Sequence, residues 1–165
     1  MWKIVCLVML LPSGTMAEAD PQAVAMLNRC LTGERQGSDA HICIGRLSTP
    51  CMEQDGGFST AGMASCTLDE TAAWDVLLNR YYGEARTLAQ SLDAATDAAF
   101  SSYAVRAETL RDAQRAWITF CDTNCAAEYA QAGEGTIRQL YGASCHLHMT
   151  AERTIWLFNY TQSVQ

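Results

Sequence analysis

Apolar residues recur every three or four positions in four parts of the chain, and nowhere do they alternate for long enough to suggest a strand. The first part is short. Val24, Leu27 and Leu31 follow Asp20-Pro21, where aspartate can cap and proline suits the first helical position, and Gly33 can end the helix. The second is the cleanest: Trp74, Leu77, Tyr81, Ala85, Leu88 and Leu92 form one helical stripe. Thr67-Leu68-Asp69-Glu70 opens it with a capping-box pattern. The third is expected to run from near Asp97 to about Tyr129, with Ala113, Trp117, Cys121, Cys125 and Tyr129 in one row and Gly133 and Gly135 beyond its end. Thr150 caps the last, which carries Ile155, Trp156, Leu157, Phe158 and Tyr160.

Residues 33–66 keep no period. They contain Gly37, Gly45, Pro50, Gly56, Gly57 and Gly62, with cysteines at 43, 51 and 66. A loop of that length needs cross-links to hold it. The expected fold is therefore all-α: a four-helix domain stapled by disulfides, with a long irregular cystine-rich loop between the first two helices.

The N-terminus changes this picture. MWKIVCLVMLLPSGTMAEAD has one lysine, an apolar run from Ile4 to Leu11, a break at Pro12-Ser13-Gly14 and small residues around Ala17-Glu18-Ala19. This reads as a signal peptide over residues 1–19, cut after Ala19 or Ala17, which leaves a single domain over 20–165. The run falls well short of the roughly 20 residues that span a bilayer, and no later segment is apolar enough. The expected product is exported to the periplasm or medium and is not membrane-embedded. With 165 residues and 49% hydrophobic content, the chain can bury one core. A formal charge of −7 weighs against a nucleic-acid partner and suits a basic one, or serves solubility alone.

Export also decides how the cysteines are read. Cys6 leaves with the signal, so Cys30, Cys43, Cys51, Cys66, Cys121, Cys125 and Cys145 remain. In an oxidising compartment they make a disulfide framework with one left over, and spacing does not choose the pairing. Cys121, Cys125 and Cys145-His146-Leu147-His148 resemble a metal set by composition. Oxidation is the commoner fate, so neither metal nor cofactor is expected. There is no Cys-x-x-Cys for dithiol redox chemistry.

Nothing favours an enzyme. His41, His146 and His148 fall in predicted loops without a flanking catalytic signature, and no glycine-rich phosphate loop occurs. Asp69, Glu70 and Asp75 read as cap and solvated-face residues. Asp122, Glu128 and Glu134 lie near a helix end and loop. Trp74, Trp117 and Trp156 sit on apolar helical faces, where core packing is the usual explanation.

Cys66-Thr67-Leu68-Asp69-Glu70, Trp74-Asp75 and Leu78-Asn79-Arg80-Tyr81-Tyr82 occur in that order. Leu110-Arg111-Asp112-Ala113-Gln114-Arg115-Ala116-Trp117, Cys125, Gly135-Thr136-Ile137, Cys145, Thr150 and Arg153 follow. Together these segments resemble the LprI-like lysozyme-inhibitor family over roughly 66–157, and Cys43-Ile44-Gly45 with Cys51 suits one branch of it. The resemblance implies a small exported bacterial helical protein. It also implies the pairs Cys125–Cys145, Cys51–Cys66 and Cys30–Cys43. Cys121 departs from the pattern, standing where relatives usually carry arginine, and is expected to be a buried free thiol beside Trp117.

The function this implies is non-covalent occlusion of a lysozyme's glycan cleft, and a loop carboxylate such as Glu134 is expected near the contact because the chain's acidity suits a basic enzyme. The alternative is a non-catalytic envelope module that binds another protein, a glycan or a small ligand.

Overall fold

The computed structural model describes residues 19–33 and 39–163, so the signal-peptide reading lies almost wholly outside the described residues. The described residues are all-helical and contain five α-helices, not four: α1 Pro21–Gly33, α2 Ser48–Met52, α3 Thr60–Ala94, α4 Arg106–Gln131 and α5 Arg138–Gln162. Short 3-10 turns occupy Ala40–Cys43 and Ala98–Tyr103. Three disulfides join Cys30 to Cys43, Cys51 to Cys66 and Cys125 to Cys145.

The expected irregular loop is largely ordered. The turn at Ala40–Cys43 and helix α2 lie within it, and α3 begins at Thr60, seven residues before the capping-box pattern. Ser59 is the true cap, its hydroxyl accepting from Gly62 N at 3.0 Å. Gly57 and Gly62 let two backbone segments touch here. A Cβ on Gly62 would fall 2.0 Å from Gly56 O, and one on Gly57 would fall 2.4 Å from Cys51 O.

Helices α3, α4 and α5 form an up-down-up bundle, with α3 and α5 parallel and sharing the largest contact. Trp74, Leu77, Tyr81 and Ala85 of α3 meet Leu147, Ala151, Ile155 and Phe158 in one buried cluster. The Tyr81 and Phe158 rings meet edge-on with centroids 5.2 Å apart. Helix α1 lies across α3, burying Leu27 and Leu31, and Tyr81 donates to Asn28 Oδ1 at 2.6 Å.

The last helix starts at Arg138, twelve residues before the expected cap at Thr150, so His146 and His148 are helical. Thr150 is buried inside it. Thr154, fully buried, donates to Thr150 O at 2.8 Å, which satisfies the hydroxyl within the helix. Gly142 does not stop the helix. It lets α5 approach Tyr129, whose ring would lie 3.2 Å from an added Cβ.

Helix α4 starts at Arg106 rather than near Asp97, which instead caps the preceding 3-10 turn through Ala99 N. Val105 supplies no side-chain cap. Asp93, in the last turn of α3, accepts from Arg106 N at 3.1 Å and Ala107 N at 2.9 Å, and pairs with the Arg106 guanidinium. The Ala107 N–H, with that of Arg106, holds the Asp93 carboxyl below its usual range.

His41 ties the N-terminal segment to the bundle, bonding Asp39 through Nδ1 and Glu152 of α5 through Nε2 at 3.0 Å. The Asp39 bond, followed by the Glu152 bond, raises the histidine's pKa. Protonation therefore favours the folded form. That contribution is complete below the ordinary histidine range and fades as pH rises through the elevated folded value. The stability advantage of the native chain over His41→Ala should accordingly shrink as pH rises from the ordinary histidine range through the elevated folded value. Urea unfolding across that range checks this, and a pH-independent difference would refute it.

Candidate functional site

Three constructions stand out, and each uses residues that the hydrophobic pattern alone leaves undistinguished. The first is a buried carboxylate. Glu70 is 0% exposed, and its oxygens accept from Gly45 N at 2.7 Å, Leu47 N at 3.0 Å, Ser48 N at 2.7 Å and Trp74 Nε1 at 3.1 Å. The capping-box reading is thus corrected. Glu70 does not reach back to the start of its own helix, because it gathers the backbone of residues 45–48 onto α3. Gly45, with φ +88°, makes the turn that points those N–H groups at one carboxylate. Thr67 is also buried and donates to Met63 O at 2.8 Å. The cystine-rich segment is therefore fixed by Glu70 as well as by two disulfides.

The second construction joins α4 and α5 through the Arg-Asp-Ala-Gln-Arg-Ala-Trp segment. Arg153 Nε donates to the buried Gln114 Oε1 at 2.9 Å, and its guanidinium lies 4.4 Å from the Trp156 ring and 6.0 Å from that of Trp117. Trp117 is half-buried and packs against the core, whereas Trp156 is 45% exposed, and the two indoles flank the cation. Trp74 alone of the three described tryptophans is fully buried. Burial lowers the Arg153 pKa, yet a guanidinium stays charged.

The third lies at the end of the bundle where α4 turns into α5. Glu134 sits exposed in the six-residue connection, and Gly133, with φ +69°, lets the chain leave α4. Beside it, Ala64 and Leu68 of α3, Asp122 and Tyr129 of α4, and Gly142 and His146 of α5 line an open groove of about 560 Å³. Leu68 and Tyr129 expose large parts of their side chains in it, and Ile137 and Tyr141 are exposed elsewhere at this end of the bundle. The Cys125–Cys145 bridge locks α4 to α5 just below, and Arg138 stacks over Tyr129 at 5.1 Å. This end presents carboxylates and aromatic rings on a cross-linked frame.

Cys121 is buried beside that bridge, with Sγ 3.8 Å from His146 Nδ1. The pair is not an activated nucleophile. Burial, reinforced by Asp122, pushes the thiol's pKa up, the opposite of what a reactive thiolate needs. Cys30, Cys43, Cys51 and Cys66 lie at the other face, around the Glu70 knot and α1.

The chain is 26% identical over 129 residues to an uncharacterized 17.7 kDa protein in the puhA 5′ region of Rhodobacter capsulatus, an alignment covering 78% of this chain and 80% of that one. No solved structure matches. The family model described as lysozyme inhibitor LprI matches residues 51–157, a span that holds the Cys51–Cys66 and Cys125–Cys145 bridges, Glu70 and the Gln114–Arg153 pair. The chain belongs to the LprI lysozyme-inhibitor family.

Proposed function

We propose that this protein is exported, binds a lysozyme and occludes its glycan cleft without covalent chemistry. Family membership is the observation that carries the reading. The bundle end supports it physically. A surface held by a disulfide and a short turn loses little freedom on binding, which favours affinity. Its exposed tyrosines and Ile137 supply the kind of anchors that interfaces use, and Glu134 supplies charge. The overall charge of −7 would speed encounter with a basic enzyme.

The test is inhibition of a panel of lysozymes spanning the structural classes by the mature, oxidised protein. Micromolar or tighter inhibition of at least one class is expected. Glu134→Lys should slow association by roughly tenfold at low salt and less at high salt, as rim charges do. Failure to inhibit any class would instead leave a non-catalytic envelope-binding module as the better account.

A further inference from the structure

We infer that opening the Cys125–Cys145 disulfide creates a zinc site from Cys121, Cys125, Cys145 and His146. Four side chains from two helices converge at one point. Cys121 Sγ, Cys125 Sγ and a His146 ring nitrogen all lie within 4.8 Å of one another. Cys145 Sγ belongs to the same cluster because it is bonded to Cys125. Three thiolates and one imidazole are an established tetrahedral zinc set. In such a set, a sulfur and a nitrogen ligand are about 3.5 Å apart, as follows from Zn–S and Zn–N lengths of about 2.3 and 2.0 Å. The Cys121 Sγ to His146 Nδ1 separation of 3.8 Å is already close to that edge.

The surroundings suit a metal as well. Asn124 Nδ2 lies 3.5 Å from Cys145 Sγ, placed to donate to a thiolate, as outer partners of metal sulfurs do. Met149 Sδ sits 3.8 Å from Cys125 Sγ, adding a polarisable wall. Cys125 and His146 line the open groove, which provides the entry path.

The bridge acts as the gate. While it is closed, Cys125 and Cys145 have no thiolate to offer, and the cluster presents Cys121 and His146 alone. A dithiol reductant opens it by exchange: the Cys125–Cys145 bond breaks, both sulfurs gain a proton, and the reductant leaves as its own disulfide. Zn²⁺ then displaces the protons of the three thiols, releasing three H⁺, and takes the imidazole as its fourth ligand. Cys121 thereby acquires a role that a buried thiol in the oxidised protein does not have.

The experiment uses the full mature protein, anaerobically, with graded phosphine reduction in the presence of Co²⁺ as the spectroscopic stand-in for Zn²⁺. Alkylation and mass spectrometry map which cysteines the metal protects. Expected are one equivalent of cobalt with tetrahedral visible bands and sulfur-to-cobalt charge transfer, its displacement by Zn²⁺, and protection confined to Cys121, Cys125 and Cys145. The oxidised protein should show none of these. Cys121→Ala and His146→Ala should each weaken binding by about 100-fold or more, since losing a ligand exceeds the cost of losing an outer partner. Far-UV circular dichroism confirms that each variant is helical. The proposal is overturned if the reduced protein gains no such spectrum. It is equally overturned if both variants keep wild-type affinity, or if protection extends equally to Cys30, Cys43, Cys51 and Cys66.

Discussion

Replacing Glu70 by alanine is expected to lower the unfolding free energy by about 3–5 kcal/mol. Four N–H donors converge on this carboxylate from Gly45, Leu47, Ser48 and Trp74, and the site is closed to water. Each buried donor left without an acceptor costs about 1–3 kcal/mol, partly offset by relief from burying the charge. Glu70→Gln keeps the volume but turns one acceptor oxygen into an NH₂ facing two donors. It should therefore cost about 2–4 kcal/mol despite its conservative appearance. Urea unfolding reads both, with the midpoint falling and the slope unchanged. A loss under about 1 kcal/mol for the alanine variant would mean that residues 45–48 find other partners, and the knot would not be what orders this segment.

Removing the α4–α5 bridge by Cys125→Ala with Cys145→Ala should cost about 3 kcal/mol, the closure entropy expected for a span of 20 residues. Both cysteines must go together. A single substitution would leave a partner thiol near Cys121 and invite a new pairing. The α3–α5 core holds none of these sulfurs, so the double variant should remain helical while the 132–137 connection loosens. Hydrogen exchange should accelerate there and at the N-terminal turn of α5, with little change in α1. Uniform acceleration throughout the chain would show instead that the bridge supports the whole bundle.

The α3 stripe was readable because each of its positions obeys the helical period, and Trp74, Leu77, Tyr81 and Ala85 are indeed buried. The start of α3 was not. In Thr60–Ser65 the weak helix formers Thr60, Gly62 and Ser65 interrupt Ala61, Met63 and Ala64 and leave no apolar period, while the real constraint is backbone packing against residues 51–57. Glu70 misleads for a related reason: its acceptor role depends on donors 22 to 25 residues away, and no local pattern encodes them. Helix α5 hid its first three turns because Gly142, Cys145 and two histidines look like connection residues. Ala143, Leu147, Ala151, Thr154 and Phe158 nevertheless keep the period. In α4, Ala113 and Phe120 point outward while Gln114 is buried, which a hydrophobicity row cannot anticipate. At the bundle end, the identity of Glu134 and its neighbours is plain from the chain. The groove is not, since one wall comes from α3, more than fifty residues before the α4 and α5 positions that face it.

Asp93 has a consequence for how this fold can vary. Because α4 receives its first hydrogen-bond acceptor from the end of α3 and not from Val105, the start of α4 is registered to α3 directly. The stretch between Asp93 and Arg106 carries no buried residue in its 3-10 turn and does not set that register. Its length can change without rotating α4 or moving Gln114 away from Arg153. It is the natural place for a tag, a tether or an inserted domain, at the opposite end of the bundle from the groove.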